Sequence, residues 1–86
     1  MSTMIIVPNE IAKSRVPDDL IPFIIEALKH FDGATVENIA SMLVDENGNN
    51  LSLTKVMYRL PLMVQDGTIK VIQYKHTPTI IRYALV

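Results

Sequence analysis

The chain predicts a small α+β domain in which three helices are followed by a two-stranded β-hairpin, with an N-terminal arm in front. Two observations carry this. Across residues 52–70 the apolar side chains Leu53, Val56, Met57, Leu60, Met63 and Val64 recur at helical spacing, and at ~100° per residue they share one face. Directly after Asp66-Gly67 the period switches to that of strands: residues 68–74 and 79–85 are rich in Ile, Val, Thr and Tyr, joined by Lys75-His76-Thr77-Pro78. The chain is expected to divide into an arm over residues 1–16, with a short strand at 4–7, and a domain over residues 17–86.

Composition bounds the class. Eighty-six residues make one domain, near the size where a single core gives modest stability, and 49% apolar content argues against disorder throughout. With no cysteines, a disulfide framework and thiolate metal sites are excluded, which fits a reducing, cytoplasmic setting. No apolar run approaches the ~20 residues of a membrane span. Net charge is −1, unevenly spread: residues 1–51 hold three basic and eight acidic residues, whereas residues 52–86 hold five basic and one acidic. A second half at +4 suggests a basic working surface, against chance segregation in a short chain.

Each element has its own signals. Met4-Ile5-Ile6-Val7, stopped by Pro8-Asn9, suits an edge strand or an arm against a partner. Val16-Pro17-Asp18-Asp19 opens the first helix, with aspartate as cap and Pro22 in the first turn. Leu20, Phe23, Ile24, Ala27, Leu28 and Phe31 form its stripe, and Ile21 and Ile25 widen it. Thr35 caps a second helix, whose Val36, Ile39, Ala40 and Leu43 follow the i, i+3, i+4, i+7 pattern. Glu37, Asn38 and Ser41 face away. Residues 45–50, Asp-Glu-Asn-Gly-Asn-Asn, are turn chemistry, and Leu51 packs back as a staple. Ser52 caps the third helix and Gly67 closes it. Pro61 either kinks that helix or splits it.

Helix, helix, turn, a helix ending in M-V-Q-D-G-T-I-K, then a hairpin ending in R-Y-A-L resembles the winged helix-turn-helix family over about residues 18–85. The resemblance implies a small DNA-binding protein, a transcriptional regulator that reads the major groove with helix 52–66 and touches the backbone with the wing at 74–79. Double-stranded DNA would be its partner, and pairing as a homodimer through residues 4–7 or the Ile21/Ile25 flank would extend its reach. The expected solvent face of the third helix holds Thr54, Lys55, Tyr58, Arg59, Leu62 and Gln65. Lys55 and Arg59 suit phosphates or guanine edges, Thr54 and Gln65 polar contacts, and Tyr58 a sugar or phosphate. Asn50 and Ser52 lie by the helix N-terminus, where N–H groups bind phosphate, and Lys75 and His76 form the wing tip.

The alternative is a protein–protein interaction module using the same face, since Leu62 beside Tyr58 is what a protein interface uses. A continuous positive strip from helix to wing favours DNA; a broken strip with an apolar centre favours protein. No catalytic, cofactor or metal site is expected. His30 and His76 have no co-ligands at metal spacing, and the 45–56 loop lacks the glycine and glutamate of a calcium loop. No nucleophile–base pair or phosphate-cradling glycine loop is visible.

Overall fold

The computed structural model describes residues 4–14 and 17–86. In chain order its elements are β1 (Ile5–Val7), α1 (Asn9–Ala12), α2 (Pro17–Leu28), α3 (Val36–Met42), β2 (Leu43–Asp45), α4 (Leu53–Gln65), β3 (Ile69–Tyr74) and β4 (Thr77–Leu85). The class is α+β, but with four helices and two small sheets rather than three helices and one hairpin. The additions come from the N-terminal segment. β1 pairs in parallel with β2, Ile5 with Leu43 and Val7 with Asp45, so residues 5–7 dock inside the chain instead of extending towards a partner. Val7 is fully buried while its neighbour Ile6 is exposed, the alternation of a half-covered strand. Asn9 ties the same segment to the loop after β2 through Glu46, its amide donating to the carboxylate (3.4 Å) and its side-chain oxygen accepting from the Glu46 amide (3.3 Å).

The helices follow their signals, with shifts at the ends. α2 begins at Pro17, so Pro22 lies inside the helix, and the bond its missing N–H would have made four residues back is forgone. The expected Asp18 cap and the boundary at residue 16 lie outside what is described. Leu20, Ile24, Ala27 and Leu28 are buried, and Ile21 and Ile25 pack half-buried against them, so this flank serves the chain's own core. In α3, Thr35 and Asn38 form a reciprocal capping box, each side chain bonding the other's amide at 3.1 Å. Asn38 is therefore half-buried and reaches back along the helix to its cap rather than standing free in solvent. Leu43 leaves the helical stripe to open β2.

α4 runs through Pro61 as one helix and is not split there. Met57 and Pro61 are both exposed, so the Met57 carbonyl that Pro61 cannot pair with lies on the solvent side, within reach of water. The helix ends in a Schellman arrangement: Thr68 N–H donates to the Met63 carbonyl (3.0 Å) and Gly67 N–H to that of Val64 (3.2 Å). Gly67 has φ +85°, which a glycine adopts without steric penalty.

The hairpin turns tightly at Lys75-His76, so β4 starts at Thr77 and includes Pro78. Pairing runs Ile69–Leu85 to Ile72–Arg82, then slips before Tyr74–Thr77, and Pro78 falls in that irregular stretch, where the ladder needs no donor from it. Ala34 adds an antiparallel bridge to Tyr83, with bonds of 2.9 and 2.8 Å. The core gathers Val7, Leu20, Ile24, Leu28, Ile39, Leu43, Val56, Leu60, Met63 and Ile69 between α2, α3, α4, β1 and the hairpin base.

If β1 is part of that core, Val7→Ala should lower the unfolding free energy by about 2 kcal/mol in urea denaturation. Ile6→Ala, one residue earlier, should change it by less than about 0.5 kcal/mol.

Candidate binding face of the fourth helix

α4 is set by its buried side. Val56, Leu60 and Met63 are essentially inaccessible, and the fourth buried position is Arg59, 6% exposed. Leu53 and Met57, expected beneath the hairpin, are 43% and 54% exposed. The buried face is thus rotated by roughly 50° about the helix axis from the apolar stripe, since each residue advances ~100°. The N-terminal segment accounts for the turn. It lies along the Lys55–Arg59 flank, and Ser14 lines a groove there with Ser52, Thr54, Lys55, Tyr58 and Arg59.

Both cations of α4 are drawn to that flank. Lys55 is half-buried and its Nζ donates to the Ala12 carbonyl at the end of α1, where a cation offsets the helix's partial negative charge. Arg59 Nη1 donates to the Lys55 carbonyl at 2.7 Å. The expectation that Lys55 and Arg59 stand on a free basic face is overturned. A guanidinium on a long stem can be buried when its donors are met and its methylenes pack.

Two more expected DNA contacts are occupied. Asn50 Nδ2 lies 3.2, 3.1 and 3.3 Å from the carbonyls of Ala40, Ser41 and Leu43, and so serves the open end of α3. Ser52 Oγ accepts from the Lys55 amide at 3.4 Å, as an N-cap. Thr54, Tyr58, Gln65, Lys75 and His76 are exposed, the last two at the hairpin turn. Elsewhere on the hairpin Lys70 is exposed, while Arg82 is half-buried with its guanidinium 5.6 Å from the Tyr74 ring centroid, a cation–π distance. No cation of α4 links these to a continuous positive strip.

What α4 turns outward is uncharged. Thr54, Tyr58, Pro61 and Gln65 lie along the middle, with Met57 and Leu53 on one side and Leu62 on the other. Tyr58 is 72% exposed and Leu62 45%. Met57 and Pro61 are additions to the face read from sequence, and the signal for the exchange was present. Arg59 stands three residues after Val56 and four before Met63, on the wheel position where a buried stripe continues.

At the C-terminal end of α4 Asp66 is ionised and exposed. The Thr68 hydroxyl (2.6 Å) and then the Thr68 amide (3.0 Å) both donate to its Oδ1, holding the carboxyl below the ordinary aspartate range. Among the described residues no three His, Cys, Asp or Glu side chains cluster as metal ligands, and no helix is long and apolar enough to cross a membrane. No protein-family model matches the chain, and neither a curated protein nor a solved structure does.

Arg59→Ala should cost about 2 kcal/mol of stability through lost packing and a lost charged hydrogen bond, whereas Lys75→Ala should cost under about 0.5 kcal/mol; urea midpoints read both. A depressed folded pKa makes the Asp66 contribution to stability present above the unfolded value and lost as pH falls through the folded one. In a carboxyl NMR titration Asp66 should have its midpoint below that of an unperturbed aspartate, and Thr68→Ala should raise it.

Proposed function

We propose that the chain is a winged-helix docking module that binds another protein through the outer face of α4. The single observation behind this reading is that face itself: uncharged and rich in exposed apolar and aromatic side chains, with Lys55 bonded to the Ala12 carbonyl and Arg59 buried. Protein interfaces favour Tyr and Met and lose charge at their centre, and Leu53, Met57, Tyr58 and Leu62 present that character. The winged-helix part of the reading draws on chain order: α2, the Ala34 bridge to β4, α3, α4 and the β3–β4 hairpin.

DNA binding through the same helix keeps Thr54, Tyr58 and Gln65 and, from the wing, Lys75 and His76. It loses Asn50, Ser52, Lys55 and Arg59 to structural work. Affinity for duplex DNA comes largely from neutralised phosphates, so a helix without free cations starts with little of it.

The test pairs two measurements on the full chain. Capture of a partner from native lysate should persist in high salt, be abolished by Leu62→Glu and be unaffected by Lys75→Ala. Fluorescence polarisation with mixed-sequence duplex DNA should show no salt-dependent binding. Low-salt DNA binding that Lys75→Ala weakens, with capture indifferent to Leu62→Glu, would overturn the docking reading in favour of DNA.

A further inference from the structure

We infer that Arg82 on β4 receives a carboxylate, carried by a peptide segment of a protein partner that sets an acidic residue beside an apolar one. The site lies on the hairpin, apart from the outer face of α4, and does not rest on the docking reading above.

A cation without an acceptor leads there. Arg82 is half-buried, and its Nε is covered by the chain with no hydrogen-bond partner, the one such buried side-chain atom among the described residues. Its Nη atoms are not covered, and they too meet no acceptor among the described residues. Water does not reach Nε, so the guanidinium is partly dehydrated before any ligand arrives. An oxyanion meeting it displaces less water than at a surface arginine.

The group is also held in place. Arg82 pairs with Ile72 across the hairpin, and the adjoining Tyr83 is tied to Ala34 by bonds of 2.9 and 2.8 Å. The Tyr74 ring centroid lies 5.6 Å from the guanidinium carbon. A Cβ on Gly33 would stand 3.6 Å from Arg82 Cδ and 3.4 Å from the Tyr74 hydroxyl, so the turn after α2 backs both side chains. That hydroxyl has no partner among the described residues and offers a second donor beside the first. A planar fork with a hydroxyl next to it suits a carboxylate, which accepts paired N–H bonds and one more.

The surroundings select the carrier. Ile72, opposite Arg82, lines a groove of about 450 Å³ with Leu28, Phe31 and Ala84, which an apolar side chain next to the carboxylate would fill. Lys70 is exposed at the same groove, on the sheet face of Arg82 and diagonal to it. Asp32 lines the groove as well, and Lys29 there is matched by Glu26 at 2.8 Å. The cations Lys29, Lys70 and Arg82 thus exceed the anions Glu26 and Asp32 by a single charge. A single carboxylate matches that surplus. A nucleic acid does not, because its binding draws on many neutralised phosphates and the two acidic groups repel it.

The test uses the full chain and two capped tripeptides, acetyl-Leu-Asp-Leu-amide and its Asn counterpart, followed in nitrogen–proton NMR spectra that include arginine Nε–H signals. The Asp peptide should shift the Arg82 Nε–H and the Lys70 and Ile72 amides saturably, with a dissociation constant on the order of 1 mM, and the Asn peptide should bind at least about tenfold more weakly. Arg82→Lys keeps the charge but loses the fork, and should weaken the Asp peptide about tenfold. Asp32→Asn removes a like charge and should tighten it about twofold. Equal shifts from the two peptides, or none from either at about 10 mM, overturn the inference. Saturable shifts with a short oligothymidylate and none with the Asp peptide overturn it in favour of nucleic acid. Leu62→Glu on α4 should bind the Asp peptide as wild type does, which separates the fate of this site from that of the docking face.

Discussion

The burial of Val56, Arg59, Leu60 and Met63 against α2, α3 and the N-terminal segment is the constraint on which the rest of the molecule depends. A helix has one rotation about its axis, and choosing the buried residues chooses the exposed ones. Had Leu53 and Met57 gone inward, Lys55 and Arg59 would have stood in water and α4 would have presented a cationic face. With Arg59 inside, the exposed side is Thr54, Met57, Tyr58, Pro61, Leu62 and Gln65. One arginine's burial thus separates two surface chemistries.

The N-terminal segment enforces that rotation. β1 continues the inward packing of Val7 onto β2, and α1 follows at once, bringing the Ala12 carbonyl to Lys55. Segment, loop and helix are mutually dependent. Asp45 Oδ1 accepts from the Asn47 and Asn49 amides at 2.9 and 3.0 Å, which shapes the loop, and Asn50 fastens it to the end of α3. The polar loop residues that suggested a phosphate-binding entrance to α4 are spent instead on backbone groups that a short helix leaves open.

Much of the architecture was legible because its signals are local. Thr35, Ser52 and Gly67 each act within a few residues, and each occupies the cap or closing position its chemistry favours. Ile69, Val71, Tyr83 and Leu85 made the hairpin readable through β propensity. The pairing of residues 5–7 was not readable, since a three-residue apolar run carries no information about which distant strand will take it. Nor was the continuity of α4 through Pro61, because the penalty of a helix proline depends on whether water reaches the carbonyl it abandons.

Sequence alone determined that α2, α3, α4 and the β3–β4 hairpin would form, in that order, and that most apolar residues of α2 and α4 would share a core, because caps, turns and periodicity act through neighbouring backbone groups. Only the tertiary structure decided that Ile5–Val7 would pair with β2, that Lys55 and Arg59 would face the chain itself, and that α4 would turn an uncharged side to solvent. Those outcomes depend on contacts between residues far apart in the chain, such as Val7 with Asp45 and Lys55 with Ala12, whose energies no local pattern encodes.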